Sequence, residues 1–349
     1  MREEQGTPLS GLTTMRVGGP AARLVRVTTT DELVNAVREV DDAQEPLLVL
    51  GGGSNLVVAD DGFPGTVVRV LTAGVVERER DGRVELTAQA GETWEPFVAR
   101  CVAKGLAGVE SLSGIPGSIG ATPIQNVGAY GQEVAETVVS VRVLDRERDA
   151  VEELPAADCG FAYRSSAFKR APGRWIVLAV TFALERRELS APLTYAELAG
   201  TLAVEPGEGA PLADVREAVL GLRRGKGMVL DPADPDSVSA GSFFTNPILS
   251  EEAFAALEER AERPPRFPEP DGRVKTSAAW LIERAGFARG HGDPATVAIS
   301  AKHTLALTNR GGGTTAELLA LAREIAAGVE ARFDVRLEPE PTLVGVEWP

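Results

Sequence analysis

The sequence predicts an α+β fold. Strand and helix signals mix along its 349 residues without the regular strand–helix–strand alternation of a doubly wound parallel sheet. Two uncharged, Gly-rich loops, each bordered by β-branched runs, punctuate the strand-forming stretches. A hydrophobic content of 44% with 25% charged residues is that of a globular chain long enough for two or three domains.

The elements follow in order. Thr29 to Glu32 reads as a capping box opening a short helix, with Leu33, Val34, Val37 and Val40 as its apolar stripe. Leu48 to Val58, LVLGGGSNLVV, places Gly51, Gly52, Gly53, Ser54 and Asn55 as a turn between two strands. A second helix spans Gly91 to Lys104. Its Trp94, Phe97, Val98, Cys101 and Val102 recur at helical spacing, and Gly105 ends it. Cys101 on that face reads as a buried apolar residue rather than a nucleophile. Strands follow at Val138–Leu144 and Trp175–Leu184. The latter is the longest apolar run and is too short to cross a bilayer. A helix from Leu212 to Leu222 ends at the basic patch Arg223, Arg224 and Lys226, and Asp231 to Ser239 reads as a turn-rich hinge. Helices are expected at Glu251–Glu262 and around Ala278–Ala285, and a strand at Thr304–Thr308. Thr314 and Glu317 form a capping box for a last helix, Thr315–Phe333.

The bulk numbers exclude several function classes. A net charge of −15 argues against broad binding to nucleic acid or an anionic membrane. MREEQGTPLS at the start has no apolar core and does not read as a signal peptide. Two cysteines, Cys101 and Cys159, give no disulfide framework, so a cytoplasmic location is expected. No metal site and no protein partner is expected.

The most informative stretch is Ile115 to Gly131, IPGSIGATPIQNVGAYG. Gly117, Gly120, Gly128 and Gly131, with small Ser118 and Ala121, leave almost no bulk and no charge. Such a backbone can press against a ligand, and its N–H groups can form an anion-binding nest. With Gly51 to Asn55, it suggests a chain that wraps a large phosphate-bearing cofactor. Neither loop fits a common nucleotide fingerprint. No Gly-Lys-Ser/Thr occurs, and Gly51-Gly52-Gly53 runs on into strand rather than into a helix.

Both segments closely resemble the flavin-binding loops of the UDP-N-acetylenolpyruvoylglucosamine reductase family, in the superfamily of the vanillyl-alcohol and p-cresol oxidases. The resemblance implies non-covalent FAD held by Gly51, Gly52, Gly53, Ser54, Asn55, Gly117, Ser118, Gly120, Asn126, Gly128 and Ala129. It also implies an FAD-binding region over 14–187 with two lobes divided near 72, and a connecting segment over 188–230. A substrate-binding C-terminal domain would cover 231–336, and 337–349 would carry a final strand back to the first lobe.

Three further motifs occur in the family's order. Arg164, in Tyr163-Arg164-Ser165-Ser166, can hold a carboxylate bidentately, though a lone Arg also reads as a surface ion pair. Ser242 lies in Gly241-Ser242-Phe243-Phe244-Thr245-Asn246-Pro247, where the Phe residues also read as core. Glu340 lies in Leu337-Glu338-Pro339-Glu340-Pro341, where the prolines require an edge or loop. The resemblance makes Arg164, Ser242 and Glu340 the catalytic residues. Glu338 and Glu340 share a strand face by periodicity, and Glu338 remains the alternative. Many family members continue with Val-Arg where this chain has Pro341-Thr342. Tyr195, Lys226 and Asn246 match positions that meet the nucleotide sugar.

The reaction implied carries hydride from NADPH through FAD to the β-carbon of an enolpyruvyl ether on UDP-N-acetylglucosamine. Arg164 and Glu340 would stabilise the enol-like intermediate, and Ser242 would protonate the α-carbon. A flavin oxidase of the same superfamily and a non-catalytic flavin or nucleotide-sugar binding module are the rivals. The only histidines, His291 and His303, lie far downstream, so no histidyl-flavin forms in the N-terminal loops.

Overall fold

A computed structural model describes residues 1–349. The chain divides into two compact units that interleave in sequence. The first comprises Met1–Thr7, Ala21–Gly53 and Pro64–Arg224; the second comprises Pro8–Pro20, Ser54–Phe63 and Gly225–Pro349. Residues 188–224 thus belong to the first unit. Two short segments of the expected FAD-binding region, 14–20 and 54–63, belong with the C-terminal half. The last strand, Thr342–Val344, pairs in parallel with Leu56–Val58 in that second unit.

Two sheets build the first unit. One carries the strands Arg2–Pro8, Pro20–Val27, Phe63–Val70 and Leu47–Leu50 in that spatial order. The helix Thr30–Asp42 buries Leu33, Val34 and Val37 in the same cluster as Val25, Val27, Val68 and Val70. Its capping box is only half formed. The Thr29 side chain accepts from the Glu32 N–H, but Glu32 turns back to Thr28 and the N-terminal ammonium. The other sheet is antiparallel, ordered Ala150–Pro155, Val138–Asp145, Trp175–Arg186, Arg83–Gln89 and Val75–Arg80. Trp175–Arg186 is almost wholly buried, as an apolar run broken only by Thr181 before its charged end requires of a central strand. Trp94 and Phe97, from the helix Trp94–Ala103, stack with Phe182 at centroid distances of 5.2–5.8 Å. Cys101 lies in this core, and burial pushes its thiol up to about 12, which removes it as a nucleophile.

In the second unit, helices Glu251–Arg260, Ala278–Arg284 and Thr315–Phe333 surround Phe243, Phe244 and Phe254. The capping box at Thr314 and Glu317 forms both of its bonds. The expected strand at Thr304–Thr308 is displaced to Leu307–Asn309, paired with Val297–Ile299, because the chain turns first, with Ala306 N–H donating to His303 C=O at 3.1 Å. The segment Asp231–Ser239 is no loose hinge. Asp236 accepts from the Ala301 N–H and from Arg310, both at 2.9 Å, and Asp234 pairs with Lys302 at 2.7 Å. No helix is long and apolar enough to cross a membrane.

One buried charge sets an acid limit on the first unit. The Asp145 side chain, 1% exposed, meets Arg174 at 2.8 Å and accepts from the N–H groups of Glu147 and Arg148. The Arg174 hydrogen bond above all holds its carboxyl below the unfolded value of 3.8. A lowered folded value means the stabilisation is complete above 3.8 and is lost as pH falls through the folded value. The melting temperature of Asp145→Asn is therefore expected below that of the parent near neutral pH. The gap closes as pH drops below 3.8 in thermal melts across a pH series.

Candidate active site

The two Gly-rich loops meet backbone to backbone in the first unit. A Cβ on Gly52 would stand 2.5 Å from Gly117 Cα, and one on Gly51 would stand 2.3 Å from Ser118 Oγ. Gly120 is as confined, 2.7 Å from Ala90 Cβ. Hydrogen bonds fix the second loop to the core. Ile119 N–H donates to Glu92 C=O, Gly120 N–H to Ala90 C=O, and Trp94 N–H to Gly117 C=O.

The nest expected along the whole of 115–131 is therefore smaller. The N–H groups of Ile119, Gly120, Ala121 and Thr122 bond within the protein. Those of Gly51, Gly52, Gly53, Gly117 and Ser118 bond to no protein acceptor, and Ser118 Oγ is buried without a partner. Donors gathered where no side chain fits suit the diphosphate of a dinucleotide cofactor. The residues present fit FAD on this ground.

Asn126 has a different part from the one expected. It is 1% exposed, with a left-handed φ of 46°. Its Nδ2 donates to Glu133 at 2.6 Å and to Ala162 C=O at 3.2 Å, and its Oδ1 accepts from Ala135 N–H. Both amide hydrogens are engaged inside the protein, so the side chain pins the loop to a hairpin rather than offering a donor to a ligand. That hairpin pairs Ala162 with Ser165 through two 3.0 Å bonds, with Tyr163 and Arg164 at its tip. Arg164 occupies a left-handed conformation, φ 49°, which costs a non-Gly residue on the order of 1 kcal/mol. Its Nη2 donates to Gly128 C=O at 2.8 Å. The Arg164 guanidinium is thus tethered to the very loop that Asn126 pins.

Gly128 and Ala129 pair with Glu133 and Gln132 around a two-residue turn, Tyr130-Gly131, with both φ values positive. The turn presents the Tyr130 ring edge to face with Tyr195, centroids 5.3 Å apart. Tyr195 opens the helix Ala196–Leu202 and remains 43% exposed. Burial pushes the Tyr130 hydroxyl up to about 12, opposed by the charge of Arg223.

Arg223 itself is 8% exposed within the helix Leu212–Gly225, and desolvation lowers its pKa. The sequence gives Tyr130 no role of its own, and it reads Arg223 as one member of a basic patch at a helix end rather than as a buried charge. A signal for Arg223 existed: it falls four residues after Val219 on the apolar stripe of its helix, where a solvated Arg does not belong.

Ser242 and Glu340 come together in the second unit. Phe243 and Phe244 are both buried core, stacked edge to face at 5.2 Å, next to the half-buried Ser242. Ser242 bridges Ala306, and Phe243 N–H donates to Leu305 C=O at 2.7 Å. Glu340 N–H donates to Phe243 C=O at 2.8 Å. The backbone separates the two acidic residues that periodicity could not. Residues 338–340 precede the strand Thr342–Val344, and Glu338 is exposed whereas Glu340 is half-buried. Asn246 Oδ1 accepts from Ala278 N–H and so caps the helix Ala278–Arg284. Lys226, half-buried, follows directly after the helix that carries Arg223. No group of His, Cys, Asp and Glu suited to a metal ion occurs.

This fold and these loops define a flavin-binding oxidoreductase. Residues 21–152 match the model of an FAD binding domain. Residues 232–344 match that of the UDP-N-acetylenolpyruvoylglucosamine reductase C-terminal domain. The reductase of Thermobifida fusca is 59% identical, with 98% of each chain covered, and that of Streptomyces avermitilis is 56% identical, with 99% and 96% covered. The crystal structure of the UDP-N-acetylenolpyruvylglucosamine reductase from Thermus caldophilus superposes with a TM-score of 0.67 at 26% identity, covering 99% of both chains. The chain belongs to the UDP-N-acetylenolpyruvoylglucosamine reductase family.

The contact between the loops makes a sharp test. Gly52→Ala forces backbone apart at Gly117, an overpacking of about 1–3 kcal/mol. Flavin affinity is expected to fall ~10–100-fold, read by titrating the apoprotein with FAD. Gly221→Ala, on an open helix face with nothing within 4 Å, serves as the control that retains flavin.

Proposed function

We propose that the chain reduces the enolpyruvyl ether of UDP-N-acetylglucosamine to UDP-N-acetylmuramate, with NADPH as reductant, in the cytoplasmic synthesis of peptidoglycan precursors. Full-length similarity to reductases of this name supports the substrate. The observation that carries the site is Ser242 seated one residue from the Phe243 carbonyl that holds Glu340. FAD, when bound, supplies the two-electron chemistry that links the nicotinamide to the double bond. Gly51, Gly52, Gly53, Ser54, Gly117, Ser118, Gly120, Gly128 and Ala129 would hold it, with Asn126 bracing the loop. As part of the same proposal, 14–187 serves the cofactor and 231–336 the nucleotide sugar.

The remaining chemistry belongs to side chains. Addition of hydride at the β-carbon leaves negative charge on the α-carbon and its carboxylate. Arg164, already oriented by Gly128 C=O, meets that charge with a fixed fork of donors. Glu340 helps only if it is protonated there or acts through Arg164, because two bare carboxylates repel. Ser242 delivers the proton to the α-carbon. A hydroxyl is a weak acid, and this enolate is basic enough to take its proton. Tyr195, Lys226 and Asn246 orient the nucleotide sugar.

The half-reactions separate these roles. An anaerobic flavin spectrum should bleach with NADPH and return with the enolpyruvyl sugar. A return only with air would point to an oxidase, and no flavin band even with added FAD would end the proposal. Ser242→Ala is expected to leave bleaching by NADPH nearly intact while slowing the return ~100–10,000-fold in stopped flow. An equal loss in both phases would remove Ser242 from its role.

A further inference from the structure

Asn55 closes the GGGSN turn and bonds the C-terminal segment through both its backbone and its side chain. It lies in the second unit, directly before the strand Leu56–Val58. That strand pairs in parallel with Thr342–Val344, and the ladder continues one step upstream, where Thr342 N–H donates to Asn55 C=O at 2.9 Å. Two residues upstream of Thr342, the Glu340 N–H turns away from this strand to Phe243 C=O. The Asn55 side chain takes over: its Nδ2 donates to Glu340 C=O at 3.2 Å.

On the other side, Glu340 N–H donates to Phe243 C=O at 2.8 Å. Bridging between Phe244 and Pro339, and a 3.0 Å bond from Thr245 N–H to Glu338 C=O, continue that attachment. Glu340 stands between two prolines, so its own amide is the only N–H from 339 to 341. Its two backbone polar groups are therefore held from opposite sides, one by the residue next to Ser242 and one by the Asn55 amide.

We infer that Asn55 is a positioning residue for Glu340, setting the register of the acidic residue beside Ser242 through the Asn55 Nδ2–Glu340 C=O bond. The inference rests on the reading that Glu340 acts on the enolpyruvyl sugar. Its consequence is an asymmetry. A residue that served FAD would affect both half-reactions, whereas one that places Glu340 affects only the return of the oxidised flavin. A shift of about 1 Å in a reacting group can cost ~100-fold in rate.

Asn55→Asp keeps the shape and removes the donor; Asn55→Ala removes the side chain without setting a carboxylate against the Glu340 carbonyl. Both are measured as full-length, flavin-loaded enzyme. Three results are expected. Affinity of the apoprotein for FAD and the rate of flavin reduction by NADPH stay at parent values. Reoxidation by the enolpyruvyl sugar falls ~10–100-fold. The double variant Asn55→Ala/Glu340→Gln reoxidises no more slowly than Glu340→Gln alone, because the two residues act as one unit.

Weakened FAD binding, equal losses in both half-reactions, or additive losses in the double variant would overturn the inference. Failure of both single variants to fold would also overturn it, since Asn55 would then be a general structural staple. If the parent enzyme itself is not reoxidised by the sugar, the proposed function fails and the Asn55 assignment falls with it. A normal parent with a symmetric Asn55 defect sinks this inference alone.

Discussion

The approach of the Gly52 backbone to the Gly117 backbone is the constraint on which the cofactor-binding unit depends. Only residues without a side chain permit it. Once the loops meet, the second is fixed to the core through Glu92 and Ala90, and its far end is fixed by Asn126. Asn126 in turn fixes the hairpin that carries Arg164, and Arg164 returns a hydrogen bond to Gly128 in the same loop. The Gly-rich loop and the Arg164 side chain are thereby parts of one hydrogen-bonded circuit. Asn126 and Arg164, both members of that circuit, and Tyr130 in the same loop hold positive φ.

The second unit uses apolar packing for the same end. Phe243 and Phe244 are buried in one cluster with residues of the long helix Thr315–Phe333, and hydrogen bonds to Leu305 and Glu340 hold the Phe243 backbone. Ser242 and Glu340 take their places from this backbone. Hydrophobic burial is non-directional, and it acquires direction here through single hydrogen bonds at Leu305 and Glu340.

The outline of the fold and its FAD-binding character were legible in the sequence. The helix at Thr315 announced itself by a capping box that forms in full, and the Gly-rich loops announced themselves by composition that no ordinary turn needs. What could not be read depended on partners remote in sequence. Thr29 promised a capping box, but the N-terminal ammonium competes for Glu32. Asn126 looked like a ligand contact because its side chain is polar in a bare loop, and only the fold supplies Glu133 and Ala162 as its partners. Glu338 and Glu340 were equivalent under a two-residue period, but the prolines prevent the regular strand to which that period applies. The division into units was hidden because two segments of about ten residues leave the N-terminal half to join the C-terminal one.

That interleaving bears on how the chain comes to be folded. Leu56–Val58 is made early and waits for Thr342–Val344, a partner translated almost 300 residues later. Until then an apolar strand lacks its neighbour during synthesis, with its main-chain groups open to pairing with another chain. The second unit is therefore complete only when the C-terminal end of the chain has been made, whereas most of the first unit is already in hand.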